Sequence, residues 1–286
     1  MDPVEELVRA QRGPSLLLAA RGLVVGRFLN VVIHRLPKIM EAQWARDCAE
    51  YRDEPLPSEE PLSLAYPGSQ CPHCNTKIKP WQNIPVVSYL VLHGRCASCE
   101  ASISIRYPLV EIITALIWVI CGLSFGVSNA LAGALLLTAV LVTLTAIDLD
   151  HQLLPDSLTL PLLWIGLLLN MMGTFTSLES ALLGAVFGYL SLWSVYWLFK
   201  IVTSKEGMGY GDFKLLAALG AWFGLAALPT IVLLSSLVGA TLGLTLILTG
   251  KQSRETPMPF GPFLAGAGLI HLLYPNALLG WITGGI

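Results

Sequence analysis

The chain has 286 residues, 54% of them hydrophobic and only 13% charged, with a formal net charge of −2 and a mean hydropathy of +0.66. Apolar runs this long and this frequent exclude a soluble domain and point to an integral membrane protein.

In chain order, the first apolar segment, residues 14 to 34, opens near Pro14 and carries Arg21 and Arg27. A membrane helix accommodates such cations by facing other helices or by snorkelling. The N-terminal flank is acidic as well as basic, and no small-residue cleavage site follows, so the segment reads as a crossing and not as a cleaved signal peptide.

Residues 35 to 106 are the sizeable polar region, with a stretch from Glu41 to Glu60 that holds seven acidic residues against Arg46 and Arg52. That stretch reads as a solvated, mobile loop, with attraction of a basic peptide as the other reading. Further on, Cys71-Pro72-His73-Cys74 and Cys96-Ala97-Ser98-Cys99 form two C-x-x-C pairs separated by 21 residues. Two such knuckles place four thiolates at tetrahedral distance, a structural zinc pattern with no open coordination position. A unit of about 40 residues is too small to hold together by burial alone, and zinc would supply the missing stabilisation. Two disulfides or a redox pair are the alternatives, disfavoured by a reducing cytoplasm. His73 and His93 read as surface residues, Gly94 as a turn residue, and Cys48 and Cys121 as incidental.

Seven further crossings follow, near residues 108 to 126, 129 to 147, 157 to 175, 179 to 199, 213 to 227, 229 to 249 and 262 to 282. The uncharged run Ile112–Ile147 spans 36 residues and breaks at the turn-like cluster Ser124 to Asn129, giving a tight hairpin. The run Leu215–Gly250, also 36 residues, breaks near Pro229. Eight Lys and Arg fall within residues 35 to 106, and Lys200, Lys205, Lys214, Lys251 and Arg254 follow later. Eight crossings put all of these on one side, which the excess of positive charge marks as the cytoplasm. The expected fold is therefore an all-α polytopic membrane protein with about eight transmembrane helices and a small cytoplasmic zinc-binding insert between the first two. Its parts are residues 1–34, the insert 35–106 with the four-cysteine site at 71–99, and a transmembrane domain 107–286.

Ionisable residues at the mouth of a membrane segment are costly and are kept for a pathway, a partner or catalysis. Asp212 closes the run Gly207-Met208-Gly209-Tyr210-Gly211-Asp212, and Asp148 with Asp150 and His151 closes the third crossing, just before Pro155-Asp156. The crossing count brings Asp148 and Asp212 to one membrane face and one depth. Two neighbouring carboxyl groups share a single proton, one activating water while the other polarises a peptide carbonyl, which is the chemistry of an aspartyl protease. Gly209 and Gly211 would let a substrate backbone approach Asp212. Asp150 and Asp156 read as wet-loop residues, Asp156 as a helix cap. A dinucleotide fingerprint is excluded because no strand or βαβ unit precedes the glycines. A cation-transport protein, with Asp148, Asp150, His151 and Asp212 lining a path, and an inactive membrane scaffold are the competing readings.

Several separate segments resemble bacterial type IV prepilin peptidases, the bifunctional leader peptidases and N-methyltransferases of the GxGD aspartyl class. They are Phe28-Leu29-Asn30 through Arg35-Leu36-Pro37, the paired C-x-x-C, Arg106-Tyr107-Pro108-Leu109-Val110-Glu111, Ile147-Asp148 through Pro155-Asp156, and the glycine run ending at Asp212. The resemblance implies a catalytic pair at Asp148 and Asp212 on the cytoplasmic side of the bacterial inner membrane. It implies substrates among the prepilins and pseudopilins of type IV pilus or type II secretion systems, with no nucleic acid among the partners. Cleavage would follow a glycine, and S-adenosylmethionine would then methylate the new N-terminal residue. Glu111 would tune the aspartates, anchor the zinc insert or pair with Arg106. One position departs from the family: Gly26 is followed by Arg27 where Gly-Ser is usual, and a cation there is expected to hinder helix packing.

Overall fold

A computed structural model describes residues 3–55, 62–205, 207–250 and 258–275, with side chains from residue 14 onward. Helices dominate: α1 (Pro3–Tyr51), α2 (Val87–Val91), α3 (Arg106–Phe125), α4 (Asn129–His151), α5 (Asp156–Met171), α6 (Leu178–Thr203), α7 (Tyr210–Phe223), α8 (Leu228–Leu248) and α9 (Gly261–Leu273). Among the described residues five helical stretches are long and apolar enough to cross a membrane: Pro14–Tyr51, α3, α4, α6 and Leu225–Leu248. With the shorter α5, α7 and α9, each of the eight expected segments has its helix, the last followed only to residue 275. These helices fit a multi-pass membrane protein. Lys251 and Arg254 lie outside the described residues.

The chain divides into two compact units, Met1–Leu123 and Ser124–Ile286. In the first, α1 does not stop at residue 34, where the expected crossing ends. It continues past Pro37 to Tyr51, so the acidic stretch begins as helix and not as the expected loop. The segment after Pro37 is rich in strong helix formers, and the exposed pairs His34 with Lys38 (3.1 Å) and Gln43 with Asp47 (2.8 Å) stitch successive turns.

Helices α1 and α3 meet through Gly22 and Gly26, four residues apart. A Cβ on Gly22 would lie 2.6 Å from the Ala115 Cα, and one on Gly26 would lie 2.7 Å from the Glu111 Cα. This is the small-residue contact by which membrane helices approach backbone to backbone. Arg27 beside it does not obstruct the packing as expected, because its guanidinium turns to Glu111 at 3.2 Å and to the Asn83 side chain.

The second unit is built around α7. Ten of its 14 residues are buried, and a helix apolar on every side belongs inside a bundle. Against α6 the backbones of Gly184 and Gly220 touch, with Gly188 over Leu216 and Ala217, so no side chain can intervene. Against α5, the Trp222 indole covers Gly166 and donates to the Leu162 carbonyl at 2.8 Å. Buried Asn170 completes the seam, donating to the Ala221 and Trp222 carbonyls (2.8 and 2.9 Å) and accepting from the Phe175 and Thr176 amides (3.0 and 3.1 Å). All its capacity is used, as a buried amide requires. Helix α7 ends at Gly224, whose φ of +84° only glycine adopts without strain. A 3-10 turn at Leu225–Ala227 then leads into α8, so the break precedes Pro229, which falls in the first turn of α8.

Candidate active site

Three helix ends in the second unit supply the site. Asp148 stands in the last turn of α4, which Gln152 closes in the left-handed conformation. Asp212 stands in the first turn of α7, whose N-cap is Gly209. The N-terminus of α9 faces Asp148, whose Oδ2 accepts the Gly261 N–H at 3.0 Å. Both carboxyl groups are withdrawn from solvent, Asp148 at 5% and Asp212 at 7% exposure.

Leu154, in the short link between α4 and α5, locks this arrangement. A Cβ on Gly211 would lie 2.7 Å from the Leu154 Cβ, and one on Gly261 would lie 3.1 Å from the Leu154 Cδ2. Gly211 is thus required by crowding against Leu154, while Gly261 lies between Leu154 and the Asp148 carboxylate, whose Oδ2 would be 2.6 Å from a Cβ. Gly209 differs: the nearest atom to a Cβ there is Asp212 Oδ2 at 3.9 Å, which leaves room beside the carboxylate. Asp212 Oδ1 is buried and has no hydrogen-bond partner.

The other sequence candidates fall outside this pair. Asp150 and His151 are exposed at the end of α4. Asp156 opens α5 but is not its cap, since Pro155 holds that position. Its carboxylate pairs with Lys214 at 2.6 and 2.7 Å, a surface tie between α5 and α7.

The second candidate site is the cysteine cluster of the first unit. Its two knuckles repeat one geometry. The Cys71 and Cys96 amides bond the Thr76 and Ala101 carbonyls (3.0 and 2.9 Å), and Asn75 and Glu100 carry the turns at φ of +54° and +56°. The four sulfurs lie within 4.8 Å of one another, with Cys71 to Cys99 at 3.8 Å and Cys74 to Cys96 at 4.0 Å. A tetrahedron of thiolates around zinc has edges of about 3.8 Å, given metal–sulfur bonds of about 2.3 Å. Hydrogen bonding from Thr76 draws the Cys74 thiol down to about 6. Cys99, although it receives an Ala101 amide, is pushed up to about 12 by desolvation and by its three neighbouring thiols. Four such acids cannot ionise together without a cation, so the cluster fits a divalent metal. His73 and His93 are exposed and not among its ligands, and Gly94 takes a φ of +68°.

Glu111 belongs to neither centre. It is 1% exposed, accepts the Val86 N–H at 2.7 Å and pairs with Arg27, not Arg106. Val86 needs the support: at φ 57° and ψ −48°, with the Val87 N–H on the Pro85 carbonyl, it forms a γ-turn that a β-branched residue rarely adopts. Glu111 thus anchors the insert to α3.

Residues 20–125 match the bacterial peptidase A24 N-terminal domain family, and residues 135–244, with both aspartates, match the type IV leader peptidase family. A protein of Pseudomonas aeruginosa is 57% identical over 258 residues, 90% of this chain and 89% of its own length. The chain belongs to the type IV leader peptidase family. Two more relatives agree: one from Stutzerimonas stutzeri, 54% identical over 97% of this chain and 96% of its own, and one from Aeromonas hydrophila, 56% identical over 91% and 90%. All three bear the name prepilin leader peptidase/N-methyltransferase. No solved structure matches this leader peptidase family member.

Sequence reasoning missed Leu154, Gly261 and the partner of Glu111. A signal existed for one of them. Gly261-Pro262 opens the last apolar run, and proline in a first helical turn marks a helix start. The topology count places that start at the same membrane face as the aspartates.

Proposed function

We propose that the chain is a membrane aspartyl endopeptidase that removes the short basic leader of prepilins and pseudopilins and then N-methylates the new terminus. The observation that carries this reading is a pair of buried carboxyl groups, Asp148 and Asp212, at two helix ends that close around Leu154 within a leader peptidase sequence. One carboxylate takes a proton from water as its oxygen bonds to the scissile carbonyl carbon, and the other gives its proton to the carbonyl oxygen. Collapse of the tetrahedral intermediate breaks the C–N bond, sends one proton to the leaving nitrogen and returns the other to the second aspartate. The room at Gly209 serves the approaching substrate backbone.

N-methylation of the freed amine rests on the names of the relatives, and S-adenosylmethionine as its donor on the family resemblance. Zinc on Cys71, Cys74, Cys96 and Cys99 would close the insert structurally. The Lys and Arg distribution supports a cytoplasmic insert and active site at the bacterial inner membrane, with the parts 1–34, 35–106 and 107–286 as the working division.

The test is to incubate the purified full chain, in lipid nanodiscs, with a prepilin and labelled methyl donor and to weigh the product. Leader loss with one added methyl mass is expected. An intact prepilin would reject the protease, and a cleaved, unmethylated product would reject the transferase alone.

A further inference from the structure

The two aspartates are not equivalent, and the start of α9 makes the difference. The first N–H groups of a helix have no intrahelical partner and form the positive end of its dipole. In α9, Pro262 has no N–H, and the Phe263 and Leu264 amides return to the Phe260 carbonyl at 3.1 and 3.2 Å. The Gly261 N–H is therefore the donor delivered to Asp148 Oδ2. A Cβ there would stand 2.6 Å from that oxygen, so any larger residue must push the carboxylate away from the N–H. Asp212 also stands in a helix first turn, within reach of the Gly209 amide, but its Oδ1 is buried without a partner. A carboxylate that accepts an N–H at a helix start is favoured as the anion, whereas a buried, unpartnered carboxyl oxygen is costly to charge.

From this asymmetry we infer that Asp148 is the member that takes the proton from water, that Asp212 is the member that protonates the carbonyl oxygen, and that Gly261 is the positioning residue that sets this division. The inference rests on the Asp148–Asp212 reading above. Asp148 enters each cycle as the carboxylate and Asp212 as the acid. Asp148 later hands its proton to the leaving nitrogen, and a hydroxyl proton of the intermediate restores Asp212.

Other charged groups around Asp148 leave the assignment intact. Its own helix offers Asp150 and His151, both exposed; α5 offers Asp156 and α7 offers Lys214, which neutralise each other; α7 also brings Asp212 and Tyr210. Helix α9 has His271 at its opposite end, against Phe223.

The experiment is the pH dependence of kcat/KM for leader cleavage by the full chain, wild type against Gly261→Ala. Gly266→Ala is the control, since a Cβ there meets nothing within 4 Å on the same helix. The backbone N–H survives the substitution, but the added methyl group pushes the Asp148 carboxylate off it and removes what favours the charged form, so the acid limb should move to higher pH by about one to two units. The control should leave it in place. An unmoved acid limb in Gly261→Ala, whatever the fall in rate, overturns the inference.

If Gly261→Ala does not fold, the buried carboxyl infrared band decides. Asp212→Asn and Asp148→Asn, each differenced against the double variant, report the remaining aspartate alone. Asp148 should ionise at the lower pH; coincident or reversed titrations overturn the assignment. Cleavage retained by either single variant would remove the dyad itself, whereas loss in both without the predicted order removes only the division of roles.

Discussion

Two buried carboxyl groups, one in each unit, show what burial does and does not mark. Glu111 in the first unit is 1% exposed, and both its oxygens are occupied, by the Val86 amide and the Arg27 guanidinium. Asp212 in the second is 7% exposed, and its Oδ1 has no partner. A satisfied buried carboxyl group holds a structure together, while an unsatisfied one stores capacity for a molecule not yet bound. The contrast belongs to these two carboxyl groups and not to the units as wholes: Asn170 in the second is fully paired, while the Trp118 indole N–H in the first is buried without a partner.

The sharpest way to break this comparison is to neutralise the poised pair. Asp148→Asn or Asp212→Asn should cut leader cleavage by at least about 10³-fold while helix content and membrane insertion stay unchanged. Asp212→Asn in particular gives up no hydrogen bond at Oδ1. Activity surviving in either variant would make Asp212 merely another buried acid.

Next in size is removal of the metal. A strong chelator should release one zinc per chain and strip hydrogen-exchange protection from the knuckle amides of Cys71, Asn75, Cys96 and Glu100, which the cysteine turns order. Helices α4 to α9 should keep theirs. Simultaneous loss in both units would show that the metal sustains the whole chain and not the insert alone.

The smallest effect tests the satisfied carboxylate. Glu111→Ala should destabilise the first unit by about 3 kcal/mol, the lower end for a broken buried pair because Arg27 is 28% exposed. Faster proteolysis around Val86 would report it. A neutral outcome would mean that the strained Val86 turn stands without its anchor.

The sequence made the carboxylates and cysteines conspicuous for simple reasons. Asp148 and Asp212 each border an uncharged run, and counting crossings is enough to place them on one face. The cysteine spacing carries its own geometry. The helix starts and stops were also legible, through the turn cluster before Asn129 and the proline in the first turn of α8.

What stayed hidden depends on how each helix is rotated. Gly22 and Gly26 show a small-residue spacing, but nothing in that spacing names Ala115 and Glu111 as the surfaces they meet. Arg27 read as an obstacle because its partner lies 84 residues away. Leu154 looked like any apolar loop residue, and only the fold shows that it separates Gly211 from Gly261. The acidic stretch was misread for a different reason: its charge suggested a solvated loop, and the helix formers after Pro37 carry α1 through to Tyr51.

The burial of α7 has a consequence for the membrane itself. Outer helices such as α6 and α8 expose apolar side chains, including Ile201, Val202, Leu237 and Leu248, and must tilt as a bilayer thickens or thins. Helix α7, enclosed by α5, α6 and α9, is solvated by protein and not by lipid. Hydrophobic mismatch therefore acts on its neighbours and reaches α7 only through them. A cell can change its fatty acids with growth temperature, and the helix that carries Asp212 keeps its register within the bundle.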